Sequence, residues 1–430
     1  MFFTTVQGQS SGKWSLRDCV NYAIENNIEI KQQSLNVENA EIELSTSKNS
    51  RLPNLNASIG HNFNFGNAYS DVAKDYISAN NSGTSFDINT QIPLFTGFKI
   101  TNDIAARKFD LLSATEGLKK AKDNIGLQVA SYYLDALFKK EILKVYNEQA
   151  DLTSKQVDRT SILVETGKVP LSQLYDIKAQ LAKDELNITN AKNDHDLSLL
   201  NLAQLLNLKD NGFDIDEPAI NDINENLIMS VEQVYDQALL IKPHVKEAEY
   251  NIESSKKSLK VAESGYYPTL SMGMSYSTRS QRIYGIDNDS FRNQMKNNSG
   301  EYIGFTLSIP IFNRFQVRNQ VRSARLNIQN NELMLDNIKL SLYKEIQQAY
   351  QNAVAAQARY TSTEKAFLAA EESFKYAQEK YNVGKLSVYE YADTQTKLIS
   401  SKSEQIQAKY DFAFRIKILD FYAGKEIDLE

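Results

Sequence analysis

Side chains able to do covalent or metal chemistry are sparse and scattered in this chain of 430 residues. Its three histidines, His61, His195 and His244, lie far apart, which argues against a histidine-rich metal centre. Cys19 is the sole cysteine, so neither a disulfide framework nor a thiolate metal site can be built. The chain contains no Gly-Lys-Ser phosphate loop, no dinucleotide-binding glycine fingerprint, no His-Glu-x-x-His and no nucleophile-elbow pattern. A dispersed catalytic triad has nothing to support it, and no enzyme activity and no cofactor are expected. What remains is charge. Glu390 and Asp393 stand three residues apart and therefore share one helix face. Such a pair usually does no more than solvate a helix surface.

The elements that must carry these residues are set by the rest of the chain. Lys plus Arg (48) nearly balances Asp plus Glu (54), a net charge of −6 that argues against a dedicated nucleic-acid binder. Mean hydropathy is −0.45, and no run of 18 apolar residues occurs, so transmembrane helices are excluded. Aromatic residues make up 10% of the chain, with 23 Tyr and 19 Phe, which is not a disordered composition. Residues 1–9 read either as the tail of a secretory signal that lacks its basic part or as an ordinary polar N-terminus. Cys19 follows Leu16-Arg17-Asp18, which is no small-residue lipid-attachment motif, and is expected to pack in a helix.

The two halves of the chain match each other at a shift of 215 to 217 residues. Ser15-Leu16-Arg17-Asp18 and Ser230-Val231-Glu232-Gln233 both read as capping boxes. At the same shift Ala23 meets Ala238, Pro53 meets Pro268 and Leu55 meets Leu270. At a shift of 217, Ile92-Pro93-Leu94-Phe95 meets Ile309-Pro310-Ile311-Phe312, and Gly167-Lys168 meets Gly384-Lys385. A collinear series of this kind marks a tandem duplication. Each half reads as helix, strand, strand, long helix, helix.

The first helical pattern covers residues 16–50. The period then switches to two. Leu55, Ala57, Ile59, Phe63 and Phe65 alternate with Asn, Ser and Gly, as do Phe86, Ile88, Thr90, Ile92 and Leu94. Leu270, Met272, Met274 and Tyr276, then Ile303, Phe305, Leu307, Ile309 and Ile311, repeat the pattern in the second half. A soluble sheet normally places Lys, Glu and Arg on its wet face, whereas these polar faces are mainly Asn, Ser and Gly. That composition suits the wall of a membrane β-barrel. Four strands cannot close a barrel, and open edges are not tolerated in lipid, so several chains must share one.

From Phe98 to Glu165 and from Phe315 to Asn382 there is no proline. Ile104, Leu111, Leu118, Ile125 and Tyr132 recur every seven residues, as do Val321, Ile328, Leu335, Leu342 and Ala349, a spacing that predicts coiled-coil-like packing. Glycine in Thr166-Gly167-Lys168 and Val383-Gly384-Lys385 should stop both helices. Shorter helices are expected at about 171–208 and 387–421. The expected organisation is an N-terminal segment 1–14, a first repeat 15–208 with strands near 54–66 and 84–95, a linker 209–229, and a second repeat 230–430 with strands near 269–278 and 301–312.

Several motifs together carry a resemblance. They are Ser15-Leu16-Arg17-Asp18 with Ala23 and Asn26-Asn27, the junction Pro93-Leu94-Phe95-Thr96-Gly97, and Tyr381-Asn382-Val383-Gly384-Lys385-Leu386-Ser387 leading into Glu390 and Asp393. In this order they resemble the TolC-like outer-membrane efflux protein family over essentially the whole chain from Ser15. The second junction departs from the pattern, with Asn313-Arg314 where glycine is expected. The resemblance implies a homotrimer whose twelve strands form one outer-membrane β-barrel above a periplasmic tunnel of helices. It also implies a periplasmic adaptor and an inner-membrane pump as partners, with no catalysis.

By the same resemblance, loops 67–83 and 279–299 would face outside, and Gly167, Lys168, Gly384 and Lys385 would be tips that meet the adaptor. Glu390 and Asp393 would ring a narrow entrance, with Tyr381 tying neighbouring helices and Gln173 as its partner. In a trimer the six carboxylates would raise some pKa values and draw in cations. Leu386 replaces a basic residue used in that lock by some members. The exported cargo stays open between small molecules, in a tripartite pump, and proteins, in a one-step secretion system. A soluble helical scaffold would explain the heptads but not the strands.

Overall fold

The computed structural model describes residues 13–70, 74–78, 80–208, 212–217, 229–285 and 287–425. Residues 1–9, and most of the segment joining the halves, lie outside these. The first half runs α1 (Leu16–Asn26), α2 (Ile28–Asn49), β1 (Asn54–Asn64), β2 (Asn67–Ser70), β3 (Asp75–Ser78), β4 (Asn81–Phe95), α3 (Lys99–Glu165) and α4 (Leu171–Leu205). The second runs α5 (Val231–Ile241), α6 (Pro243–Glu263), a 3₁₀ turn at Ser264–Tyr266, β5 (Thr269–Ile283), α7 (Phe291–Asn297), β6 (Gly300–Ser308), α8 (Gln316–Asn382) and α9 (Val388–Tyr422). The duplication is close in its helix lengths, α2 having 22 residues and α6 having 21. α3 and α8 each have 67 residues, α4 and α9 each have 35, and α1 and α5 each have 11.

The opening helix expected over 16–50 is broken at Asn27, whose backbone turns extended. Its amide donates to the Leu205 carbonyl at 3.0 Å, while its side-chain oxygen accepts the Glu29 N–H at 2.8 Å. Asn27 therefore ends α1 and caps α2, a role that competes with helix continuation for this residue type. At the matching place in the second half Lys242 is extended and Pro243 opens α6.

One compact unit comprises Val37–Ala114 and Glu247–Met334 and contains the sheet. Strand order is β1-β4-β5-β6, every pair antiparallel. The register decides which side chains share a face. Ile59 pairs with Phe86, and Phe86 with Thr278; Ala57 pairs with Ile88, and Ile88 with Tyr276. Leu55 pairs with Thr90, Thr90 with Met274, and Met274 with Ile303, while Met272 faces Phe305. All four apolar sets thus lie on one face, and Asn56, Asn62, Asn89, Gly273, Ser275 and Gly304 lie on the other. A single-residue slip in any strand would have mixed the faces.

The apolar face is bare within the chain, with Leu55, Ile59, Ile303 and Phe305 each two-thirds or more exposed. Among the described residues β1 pairs with a strand on one side only, and so does β6.

Two strand limits differ from the alternation. β5 continues to Ile283 because β4 supplies partners up to Asn81. β6 ends at Ser308, four residues before the expected limit, where Pro310 has no N–H to give and no strand lies beyond to hold the chain. Pro93 is tolerated inside β4 because β1 begins opposite Gln91, and the register slips between Pro93 and Phe95. The segment 67–83 is no plain loop, since β2 and β3 form a hairpin of their own.

Both strand-to-helix junctions pass through two successive left-handed residues, Gly97 (φ 61°) and Phe98 (φ 65°), then Arg314 (φ 54°) and Phe315 (φ 62°). Arg314 thus adopts the backbone that glycine holds in the first repeat, at a cost of about 1–2 kcal/mol. At Gly97 no such exchange is open, because a Cβ there would sit 2.8 Å from the Ser264 carbonyl oxygen.

The second unit comprises Met1–Asn36, Thr115–Lys246 and Leu335–Glu430. Its main core gathers Leu16, Cys19 and Ala23 of α1, Ile125, Val129, Tyr133 and Leu137 of α3, and Leu202 of α4. Burial pushes the Cys19 thiol up to about 12, so it packs as an inert apolar group. Val321, Leu342 and Ala349 are buried as the heptads require. On α3 the seam drifts, so that Tyr133 is enclosed and Tyr132 is 42% exposed. A straight helix rotates about 20° per heptad against a strict seven-residue repeat, and four heptads displace the seam by nearly one residue.

The short stretch before α1 is clamped to residues 214–217. Trp14 and Ile215 form a parallel bridge, and the Tyr133 hydroxyl donates to the Asp216 carbonyl at 2.9 Å. Lys140 holds Asp214 at 2.9 Å and Glu217 at 3.1 Å, and Lys144 also bonds Glu217. The Lys144 hydrogen bond, aided by Lys140, brings the Glu217 carboxyl down to about 2.

Two outcomes follow from these packings. Ile59→Arg, at the middle of β1, should destabilise a membrane-inserted sheet by about 2–4 kcal/mol, whereas Asn62→Arg should assemble normally, read by heat-resistant oligomer yield. A depressed carboxyl stabilises above its unfolded pKa and loses that contribution as pH falls through its folded value. Emission of Trp14, the sole tryptophan, should therefore hold steady from neutral pH to about 4.5 and shift red between there and about 2.

Candidate functional site

The residues singled out by sequence meet where the long helices end. Each long helix closes in the same hydrogen-bonded turn. The Gly167 N–H donates to the Val164 carbonyl (2.9 Å) and the Lys168 N–H to Leu163 (2.8 Å). The Gly384 N–H donates to Tyr381 (3.0 Å) and the Lys385 N–H to Lys380 (2.8 Å). Gly167 and Gly384 are left-handed, with φ of 71° and 72°, and nothing crowds either one. This is the pattern that satisfies the last free carbonyls of a helix. Gly167, Lys168, Gly384 and Lys385 are all exposed.

Beyond the turns the two repeats diverge. α9 starts with a complete capping box. The Ser387 hydroxyl accepts the Glu390 N–H at 3.2 Å, and the Glu390 carboxylate accepts the Ser387 N–H at 3.0 Å and hydroxyl at 2.7 Å. These two donors, the hydroxyl foremost, hold the Glu390 carboxyl below its usual range. Asp393, one turn on, is bridged by Lys397 at 2.7 Å. Both acids are exposed and each has a partner within the chain. At the equivalent start of α4, Pro170 offers no side-chain cap. Gln173 stands where Glu390 stands, 217 residues earlier, and Asp176 where Asp393 stands. Asp176 is exposed and was missed by motif reading, although the repeat shift alone points to it.

Tyr381 stacks on Tyr391 at 4.6 Å, and Tyr391 packs in turn on Phe374 at 5.5 Å. Gln173 is half-buried, and among the described residues no hydrogen bond joins it to Tyr381. The chain's own link between its two hairpin ends is Arg159, which bonds the Asn382 side chain and donates to the Asn382 carbonyl at 3.0 Å. A guanidinium on the last carbonyls of α8 also complements the helix dipole. Leu174 and Ile177 of α4 bury Val388 of α9 beside it. Arg159 left no signal in the sequence, since its partner lies 223 residues away.

A buried polar layer lies deeper along the same helices. Asp184, 2% exposed, accepts hydrogen bonds from Thr153 (2.6 Å), Gln180 (2.9 Å) and Gln149 (3.5 Å). Gln395, 1% exposed, brings α9 into the same layer by donating to Thr153 at 3.4 Å. Among the described residues no group of three or more His, Cys, Asp or Glu is placed to hold a metal ion. The arrangement offers exposed charge at capped helix ends and polar groups between helices.

Comparison with known proteins completes the picture. A family model described as "Outer membrane efflux protein" matches residues 19–208 and 234–424, that is, each repeat separately. The outer membrane efflux protein BepC of Brucella suis biovar 1 is 20% identical over 408 residues, covering 95% of this chain and 85% of that protein. The outer membrane protein TolC of Escherichia coli K12 is 20% identical over 401 residues, with coverages of 90% and 77%. A crystal structure of CusC superposes with a TM-score of 0.79 at 16% identity, over 98% of this chain and 96% of that one.

The turn geometry gives a direct test. Gly384→Ala must place a Cβ at φ 72°, which should cost about 1–2 kcal/mol locally. Amide exchange at Gly384 and Lys385 should accelerate accordingly, with no change at Gly167.

Proposed function

The chain belongs to the outer membrane efflux protein family, an efflux channel of the outer membrane with a helical tunnel in the periplasm, and from that premise we propose how one chain becomes a duct. Three copies share one barrel of twelve strands. The observation that carries this is the sheet itself, whose register gathers every apolar row on one face while β1 and β6 keep an unpaired edge. In lipid those edges cannot stay open, and joining β1 of one copy to β6 of the next satisfies both. The apolar face then meets lipid, and the Asn, Ser and Gly face lines the lumen.

The family implies a passive channel. Energy for export then comes from an inner-membrane pump, reached through a periplasmic adaptor that grips the turns at Gly167, Lys168, Gly384 and Lys385. These turns suit that role because they are exposed and rigidly closed by their own hydrogen bonds. The cargo is small molecules.

Glu390 and Asp393 form the selective constriction at the tunnel mouth, with Tyr381 and Gln173 packed behind it. Glu390 is exposed and held by Ser387 at the start of α9, and its negative charge favours cations. The detergent-purified oligomer should run as a trimer and conduct cations preferentially in planar bilayers. Glu390→Ala combined with Asp393→Ala should keep the trimer and lower the cation-to-anion permeability ratio several-fold. A monomer, or an unchanged ratio in the double variant, would overturn the barrel or the gate respectively.

A further inference from the structure

The repeat places Asn27 and Lys242 at equivalent breaks between helices, but only the Asn27 side chain hydrogen-bonds the backbone there. The Asn27 amide bonds the Leu205 carbonyl. The Lys242 ammonium, on a residue 4% exposed, makes no hydrogen bond among the described residues. Its nearest carboxylate oxygen is Asp123 Oδ2 at 3.9 Å. The Phe421 ring covers one side of it, with Nζ 3.2 Å from the ring centroid. Burial, only partly offset by Asp123, brings its pKa down to about 8. Among the described residues the ammonium thus has no acceptor closer than Asp123, and it faces the cavities it lines.

Lys242 lines two cavities, of about 560 and 320 Å³, volumes in the usual range of small-molecule sites. The larger one is basic. Arg17, Lys119, Lys122 and Lys425 join Lys242 around it, against the single carboxylate of Asp123. Lys119 and Lys425 carry carboxylate partners of their own, Glu116 at 2.8 Å and Asp420 at 2.7 Å. That leaves positive charge in excess. Apart from Asn21 the remaining side chains are apolar, chiefly Val20, Ile24, Ile241 and Phe421.

We propose that this cavity binds a small amphiphilic oxyanion, with its phosphate or carboxylate head against Lys242 and its apolar body against Val20, Ile24 and Phe421. The head supplies charged acceptors to Lys242, and beside the apolar wall a charge-assisted bond is stronger than in bulk water. The apolar body covers the wall opposite. A free metabolite and a lipid headgroup share this chemistry.

Calorimetry on the full chain in nonionic detergent tests it, with phenyl phosphate, dihexanoyl phosphatidate and inorganic phosphate as probes. We expect one site per chain for at least one organic probe, phenyl phosphate winning if the source is soluble and phosphatidate if it is lipid. Inorganic phosphate should bind at least tenfold more weakly. Lys242→Met should lower affinity at least tenfold and Lys242→Arg much less. Because Lys242→Met risks misfolding, a second measurement uses the wild-type chain with ¹³C-methylated lysines, where the Lys242 resonance should move at saturating probe. No binding of either organic probe, equal binding of inorganic phosphate, undiminished binding by Lys242→Met, or an unmoved Lys242 resonance would each overturn the proposal.

Discussion

Backbone N–H and C=O groups at a sheet edge must find partners, and in hydrocarbon water cannot supply them. That constraint organises this protein. One chain builds a four-stranded sheet with every apolar row on one side, and among the described residues the sheet has an unpaired strand edge at β1 and another at β6. Such a sheet is unstable alone in water, where its apolar face is bare, and unstable alone in lipid, where its edges are. Both faults are cured by closure with other copies. The proposed trimer is thus the consequence of a local hydrogen-bonding debt, and the helices that follow each strand pair inherit its symmetry.

Duplication supplies the regularity that closure needs, because equal helices deliver equal lengths from both repeats. The means of ending those helices recur at the same shift: left-handed Gly167 and Gly384 at the tips, then Asn207 and Gly424 after the return helices. The junctions after β4 and before α8 recur likewise, with Arg314 forced into the conformation Gly97 holds. An element of fixed geometry is retained there at the expense of backbone strain, which shows that the path of the chain outweighs the preference of one residue.

Where the repeats differ, the differences fall at places where charge is exposed or buried. Ser387 and Glu390 form a capping box at the second tip only, which holds the Glu390 carboxyl below its usual range. Lys242 takes the position of Asn27 and sets an ammonium on the wall of a cavity, with Asp123 as its nearest carboxylate. Asp184 is buried too, but it accepts from Gln180 on its own helix and from Thr153 and Gln149 of α3, and so ties α3 to α4.

Much of this was legible in the residues. Proline-free stretches and glycine turns placed both long helices within a residue, since helix termination is a local matter of backbone conformation. Two-residue alternation identified the strands and their apolar side for the same reason: neighbouring side chains point to opposite faces whatever the strand pairs with. The break at Asn27, the early end of β6 and the shift of the seam from Tyr132 to Tyr133 were not legible, because each depends on a partner distant in sequence or on accumulated helical twist. The Arg159 bond to Asn382, the clamp of Lys140 on Asp214 and Glu217, and the isolation of Lys242 likewise belong to the tertiary structure alone. Sequence by itself determined the long helices, the four sheet strands, their duplication and their faces, which follow from short-range sterics and periodicity. Only the folded chain decided register, pairing order and which charges are satisfied, because those depend on distances between atoms that the sequence separates by hundreds of residues.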